Sequence, residues 1–379
     1  MEVRFRGLRI EEQPSKPSEV VVEVTTHCNY RCVHCFRNYM KPSEFSHMDL
    51  ELYRRLLDQL EEAGIRNITF TGWGEPLVHP HILEILGEAK KRGFRVLLNT
   101  NGALLSDYVD DLVKMGVDGV VVSVDSADPE LYGRLRVGGA FNEVLNGVLR
   151  LVEVSEKLGK SPIIAFWFTL ASYNCHDVLN LPLFAAKFRI TRVFISHIIP
   201  FTREHEEAYS CLYSPERQNK FRKMIEKAIY GSINIQFRQP VKIVLPPTIL
   251  GYERSCPFAE ARTTYVRFDG GVAPCIHYAH SWRFSFRGVE RRVEPVVFGN
   301  ISEEKLLEIW RSEFYTKFRI RAALALMPSC LNCELAPYCS YTYSNESDCW
   351  VNMPTCSHCP YLHGYSRCPL QYYLFERYV

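Results

Sequence analysis

Fourteen cysteines stand in the 379-residue chain, and their spacing marks where chemistry is to be sought first. Cys28-x3-Cys32-x2-Cys35 puts three thiols on one short loop. Three thiolates placed this way suit three corners of a cubane iron–sulfur cluster. Ordinary ligation takes four cysteines, and the next one along the chain is Cys175. A corner without a thiolate leaves one iron open to a small molecule. The same loop also suits a zinc ion completed by His27 or His34, because zinc accepts mixed cysteine and histidine ligands, or a redox Cys-x-x-Cys.

Nine more cysteines lie towards the C-terminus: Cys256, Cys275, Cys330, Cys333, Cys339, Cys349, Cys356, Cys359 and Cys368. Cys330-x2-Cys333 and Cys356-x2-Cys359 are separated by 22 residues, close to the spacing of a zinc ribbon. Four thiolates serve zinc and iron–sulfur alike, so these two pairs alone do not choose between them. Nine thiols also exceed the eight that two fully ligated cubanes require, which leaves the last four cysteines unassigned. Cys175 and Cys211 stand apart and read as buried thiols.

The composition narrows the setting. Lys plus Arg number 45 and Asp plus Glu 43, a net charge of +2, which argues against holding nucleic acid or an anionic membrane by bulk charge. The longest charge-free run, Ser161 to His176, contains Pro162 and Asn174 and falls short of the roughly 20 apolar residues of a spanning helix. The opening residues Met1 to Arg6 alternate charged and apolar side chains and do not read as a signal peptide. A cytoplasmic setting is expected, where clustered cysteines bind metal or do redox chemistry more often than they pair.

The elements that must position the first cluster follow one rhythm. Strand candidates at Val20–Thr25, Asn67–Thr71, Arg95–Asn99, Gly119–Val124, Pro162–Thr169 and Arg192–His197 alternate with helix candidates at Asp49–Ala63, Pro80–Arg92, Ser106–Met115, Phe141–Leu158 and His176–Phe188. Gly64, Gly93 and Gly116 follow three of these helices, where a C-terminal cap belongs. The alternation predicts an α/β fold, a partial (β/α)6 TIM-like barrel, with a small cysteine-rich C-terminal iron–sulfur domain. The expected divisions are an N-terminal extension (1–19), the barrel (20–200), a helical connector (201–255) containing Pro240, Pro246 and Pro247, and the cysteine-rich domain (256–379). In such barrels the active site lies at the C-terminal ends of the strands. Asp269-Gly270-Gly271 predicts a hairpin. Ser302 is expected to cap a helix ending at Trp310. Arg283, Arg287, Arg291 and Arg292 read as a solvated hairpin that could also meet an anion. His277 and His280 read as surface loop, and Tyr372 to Phe375 as a tail docking on the barrel.

The cysteine loop after the first strand of repeated β/α units resembles the radical S-adenosylmethionine (SAM) enzymes. His34 stands where that family often has an aromatic residue. Gly72-Trp73-Gly74-Glu75-Pro76 resembles the family's GGEP segment, with Trp73 as a departure. The resemblance implies that backbone near Gly74 and the Glu75 carboxylate receive the SAM ammonium. It implies also that Asn99 and Asn101, after the third strand, and Ser123 and Asp125, at the end of the fourth, approach its ribose and carboxylate. The implied activity is reductive cleavage of SAM, bound to a [4Fe-4S] cluster, to a 5′-deoxyadenosyl radical that abstracts hydrogen from a C–H bond.

The C-terminal series is similar to the SPASM domain of many radical SAM maturases. Gly270-x4-Cys275, Phe298-Gly299-Asn300-Ile301, Ile309-Trp310 and Cys330-x2-Cys333-x5-Cys339 carry that likeness. It implies two auxiliary [4Fe-4S] clusters, Cys256 and Cys275 serving one and Cys330, Cys333 and Cys339 the other. Tyr343 stands where the pattern often has a further cysteine. In length and crowded C-terminus the chain resembles the subgroup tied to tungsten-containing aldehyde ferredoxin oxidoreductases. That likeness implies modification or maturation of such an oxidoreductase or its tungstopterin cofactor, with an electron donor such as ferredoxin. The Arg283–Arg292 run would then suit a pterin phosphate. The alternatives are a ribosomal-peptide or protein side-chain maturase of the same class, and a non-catalytic zinc or iron–sulfur scaffold.

Overall fold

The computed structural model describes residues 2–5, 8–11, 16–236, 241–245 and 254–370. Six strands, Glu19–Val22, Asn67–Phe70, Arg95–Thr100, Gly119–Ser123, Ile163–Leu170 and Arg192–His197, lie side by side and parallel in chain order. The register sets Val20 beside Ile68, Ile68 beside Val96 and Leu98 beside Val120. These near-continuous runs of valine, isoleucine and leucine are what a sheet covered on both faces requires. Helices supply the cover. Leu50–Glu62 is capped by Asp49, whose carboxylate accepts from the amides of Glu51 and Leu52, and it buries Tyr53, Leu56, Leu57 and Leu60. Ile82–Lys91, Leu105–Met115 and Phe141–Lys157 follow, and Gly64, Gly93 and Gly116 all take positive φ after their helices.

The sheet is wider than its six-strand core. Lys242–Val244 pairs in parallel with the sixth strand, and Thr263–Val266 pairs in parallel with the first. Val272–Ala273 then closes an antiparallel edge, making nine strands. The predicted hairpin around Asp269-Gly270-Gly271 is present, but one arm of it also extends the barrel sheet. The cysteine-rich segment is therefore hydrogen-bonded to the strand that leads into Cys28. The stretch expected as a helical connector holds helices Arg203–Tyr209 and Pro215–Gln236 as well as the short strand. Pro240, Pro246, Pro247 and the tail from Tyr372 to Phe375 lie outside the described residues. Ahead of the sheet, Glu2–Phe5 and Leu8–Glu11 pair as an antiparallel hairpin.

Four local expectations change. The helix expected over His176–Phe188 is a 3-10 turn, Cys175–Leu179, followed by Leu181–Lys187, with Pro182 in the restarting turn. The helix ending near Trp310 starts after Lys305, because the Ser302 hydroxyl is spent on Asn300 Oδ1 at 2.7 Å. The arginine hairpin Trp282–Phe286/Val289–Val293 is not wholly solvated. Arg291 is buried and donates to the Phe286 and Val289 carbonyls at 3.0 and 2.7 Å. His277 and His280 are buried as well, not surface loop.

Candidate active site

One cavity of about 210 Å³ opens at the C-terminal ends of the strands, where the fold places barrel active sites. It is lined by Cys28, Cys32, His34 and Cys35 from the loop after the first strand, and by Gly74 and Glu75 after the second. Asn99 and Asn101 come from the third and Ser123 from the fourth. The barrel residues expected from the sequence thus meet in this one space, except Asp125, which lies just outside the lining.

The cysteine loop is held from two sides. Arg31–Cys32 pairs with Arg136–Val137, and Arg37 donates to the Tyr30 carbonyl at 2.8 Å. The Tyr30 amide points at Cys28 Sγ, 3.4 Å away. Burial pushes the Cys28 thiol up to about 11 and the Cys32 thiol to about 12, and it raises Cys35 as well. Replacing those protons with metal removes the cost of ionising each thiol without a partner.

Gly74 sits where nothing larger fits, since a Cβ there would collide with the Thr25 carbonyl oxygen and stand 2.5 Å from that of His27. Its neighbour Glu75 donates its amide to His27 O at 2.8 Å. The Glu75 carboxylate is buried and accepts from Leu77 N at 3.1 Å, Thr100 Oγ1 at 2.8 Å and Asn101 N at 2.6 Å. Burial still pushes its pKa up to about 7 despite these donors. A carboxylate in that condition gains most from a cation brought to it. Asn101 Nδ2 reaches Asn29 Oδ1 at 2.7 Å and Cys28 Sγ at 3.7 Å, joining the third strand end to the cysteine loop. Asn99 Nδ2 donates to Thr71 Oγ1 at 3.0 Å.

Asp125 stands behind the cavity rather than in its wall. Its carboxylate is fully buried and meets Arg136 Nη2 at 2.7 Å and His34 Nε2 at 3.1 Å. Burial opposes its charge, but Arg136 and then His34 more than offset that and hold the carboxyl at about 2. Arg136 in turn places Nη1 3.9 Å from Cys32 Sγ. It lines the cavity, and sequence reading missed it because a two-residue strand pairing is all that brings it to the cysteine loop.

Trp73, the departure from the GGEP pattern, is also explained by its contacts. Its amide donates to Glu23 Oε1 at 2.9 Å and its indole to the Ile276 carbonyl at 3.1 Å. Glu23 meets His280 Nε2 at 2.7 Å, both buried, and the His280 ring packs edge-on against Trp73. The tryptophan therefore fastens the second strand end to the segment just after Cys275.

The C-terminal cysteines fall into two groups. Cys256, Cys275, Cys356, Cys359 and Cys368 are electrostatic neighbours in a buried region. Cys349 lies beside Cys330, which the sequence joins to Cys333 and Cys339. Between the groups runs the loop built on Asp348, whose carboxylate accepts from Trp350 N, Asn352 N and Nδ2, and Thr355 Oγ1. Among the described residues no three Cys, His, Asp or Glu side chains converge closely enough for a single metal ion. Ile276, Tyr361, Arg367 and Pro369, which neighbour Cys275, Cys359 and Cys368 in the chain, line the same cavity as the first cysteine loop.

Residues 22–164 match the profile of the radical SAM superfamily, and residues 256–334 that of an iron–sulfur cluster-binding domain, SPASM. The chain is 31% identical over 371 residues to the tungsten-containing aldehyde ferredoxin oxidoreductase cofactor-modifying protein of Pyrococcus furiosus, covering 94% of this chain and 99% of that one. The chain belongs to the radical SAM superfamily. It is a radical SAM/SPASM enzyme, and SAM and iron–sulfur clusters are its implied cofactors. The AdoMet-dependent heme synthase of Methanosarcina barkeri is 24% identical over 374 residues, covering 91% of this chain and 97% of that one. In fold, the chain is similar to anSMEcpe with bound AdoMet (TM-score 0.62, 17% identity, 90% of this chain and 94% of that). It is similar also to Streptococcus suis SuiB bound to S-adenosylmethionine (TM-score 0.60, 18% identity, 86% and 73%). No helix among the described residues is long and apolar enough to cross a membrane.

Proposed function

We propose that the chain binds SAM in the cavity at the strand ends and cleaves it reductively, with Cys28, Cys32 and Cys35 holding a [4Fe-4S] cluster whose fourth corner is left to SAM. The observation that carries this reading is the convergence of three thiols, Cys32 buried and Cys28 and Cys35 half-buried, with a buried, cation-seeking carboxylate at Glu75 in one space. Such a cluster, when bound, supplies the electron that splits the S–C5′ bond and releases a 5′-deoxyadenosyl radical. The chain's own residues do the positioning. Glu75 receives the SAM ammonium, the tight packing around Gly74 leaves backbone free beside it, and Asn99, Asn101 and Ser123 face the remaining polar groups. Asp125 keeps His34 and Arg136 in place against the cysteine loop. The part of the wall formed by Ile276, Tyr361, Arg367 and Pro369 shields the space from water and faces the C–H bond to be attacked.

The substrate we propose is a tungstopterin cofactor or the oxidoreductase that carries it, by likeness to the Pyrococcus furiosus relative along nearly the whole of both chains. Two auxiliary clusters in the C-terminal segment and a ferredoxin-type donor complete the reading. The arginine hairpin gives less support to a pterin phosphate than its composition suggests. Arg291 is buried on carbonyls and Arg292 is ion-paired with Glu294, so Arg283, over the Tyr39 ring, and Arg287 at the turn are the arginines left to meet an anion. The test is anaerobic turnover of SAM, with dithionite, in the presence and absence of a tungsten oxidoreductase lacking the modification. The oxidoreductase should raise 5′-deoxyadenosine formation well above the uncoupled rate, and Arg283→Ala with Arg287→Ala should weaken its binding. Stimulation by a peptide instead would move the substrate to the peptide-maturase alternative.

A further inference from the structure

The cysteine group behind the cavity wall has one thiol more than a cubane needs, and its neighbours sort the five. Three sulfurs are cradled by backbone amides: Cys256 by Phe258 and Ala259, Cys275 by His277 and Tyr278, and Cys359 by Tyr361 and Leu362, the last at 3.5 Å. Amides aimed at sulfur favour the thiolate over the thiol. The other two are built differently. Cys356 has the Tyr278 hydroxyl beside it, whose proton goes to the Thr355 carbonyl at 2.9 Å. Cys368 has the Arg367 cation beside it. Each of these two has Cys256, Cys275 and Cys359 as its cysteine neighbours.

Backbone bonds tie the segments of Cys256, Cys356, Cys359 and Cys368 to one another. Ser255 N donates to Leu362 O at 3.0 Å, Cys359 N to Cys356 O at 3.0 Å, and Ser366 N to Pro360 O at 3.1 Å. The segment that carries Cys368 is itself tied to the sixth barrel strand, the Ser366 hydroxyl donating to His197 O at 2.6 Å. Its residues alternate, Arg367 and Pro369 in the cavity lining and Cys368 among the cysteines.

We propose that this is a three-plus-two thiolate site. Cys256, Cys275 and Cys359 hold three corners of the cavity-side auxiliary cluster, and Cys356 and Cys368 are alternative ligands for the fourth. Cys356 replaces the cysteine that the usual pattern would place at Tyr343, and Cys368 reaches the same cluster from the cavity wall. A fourth corner supplied twice can be given up by Cys368, on the side of the substrate, without loss of the cluster. The inference rests on the assignment of auxiliary clusters made above.

The test is iron and sulfide content, with EPR of the dithionite-reduced protein, on full-length protein reconstituted anaerobically. The Cys28/Cys32/Cys35 triple alanine variant serves as background, so that the auxiliary signals are seen alone. In that background Cys356→Ala and Cys368→Ala should each keep the full auxiliary iron, with EPR signals that differ from one another. The double variant should alter or lose the cavity-side cluster, and Cys359→Ala should lose about four irons. If one single variant loses as much as Cys359→Ala and the other changes nothing, the fourth ligand is fixed and the proposal fails. If the background protein holds no auxiliary iron at all, the underlying assignment fails instead. A circular dichroism spectrum unchanged from the parent shows that each variant has folded.

Discussion

The substitution Asp125→Asn removes one charge from a buried ion pair beside the cavity and leaves the shape of the side chain. The side chains of Asp125 and Arg136 are 0% and 7% exposed, with Nη2 2.7 Å from Oδ2. A neutral amide there would leave the guanidinium without its counter-charge, and breaking a buried pair on one side costs about 3–5 kcal/mol. The carboxyl's position at about 2, against its ordinary 3.8, gives a smaller figure of about 2.5 kcal/mol, since it counts only the preference for the ionised form. For a chain of this size each kcal/mol shifts the melting midpoint by about 1.3 °C, so the variant should melt about 4–7 °C lower. The sign with pH follows from the depressed pKa. The pair stabilises fully above about 4 and is lost as pH falls towards 2, so the deficit of the variant should shrink in acid. Adding Arg136→Met should recover most of the loss, because no unpaired buried charge remains. Scanning fluorimetry of the single and double variants reads all of this. A loss below about 0.5 kcal/mol in the single variant, or losses that merely add in the double, would refute the reasoning.

Other outcomes follow from the same geometry. Glu75→Gln keeps an acceptor oxygen and removes the charge, so SAM affinity by equilibrium dialysis should fall about 10- to 100-fold, the worth of a hydrogen bond to a charged group. In the parent protein, affinity should drop about fivefold from pH 7 to pH 6, because a carboxyl sitting at about 7 must ionise to receive the ammonium. Gly74→Ala would force a methyl onto the Thr25 carbonyl oxygen, and loss of SAM binding with a lowered denaturation midpoint is expected. Trp73→Ala should cost about 3–5 kcal/mol in urea unfolding and expose the segment after Cys275 to proteolysis, whereas Trp73→Phe should keep most of the packing.

Much of the barrel could be read from the chain because its signals are local and repeated. The valine-rich strands, the amphipathic helices and the glycines that end them each declare themselves over a short stretch of chain. The strand ends then place Gly74, Glu75, Asn99, Asn101 and Ser123 around Cys28, Cys32 and Cys35. What escaped the sequence depends on long-range pairing. Thr263–Val266 carries the same β-branched pattern whether it closes a hairpin or extends a sheet, and only the fold puts it beside Glu19–Val22. Arg136 belongs to no motif in the sequence, and only its pairing with Arg31–Cys32 brings it to the cysteine loop. His280 and Glu23 are far apart in sequence and become a buried pair only when the two halves meet. The last cysteines could be counted but not partitioned, since their grouping is set by loops such as the one built on Asp348 rather than by spacing.

The most direct test of the central claim is 5′-deoxyadenosine, measured by chromatography after anaerobic reconstitution and addition of SAM and dithionite. Parent protein should form the nucleoside and hold about twelve irons, about four for each of three cubanes. The Cys28/Cys32/Cys35 triple alanine variant should lose the nucleoside together with about four of those irons. Nucleoside formed equally by both proteins, or a parent protein holding zinc and forming none, would contradict the account.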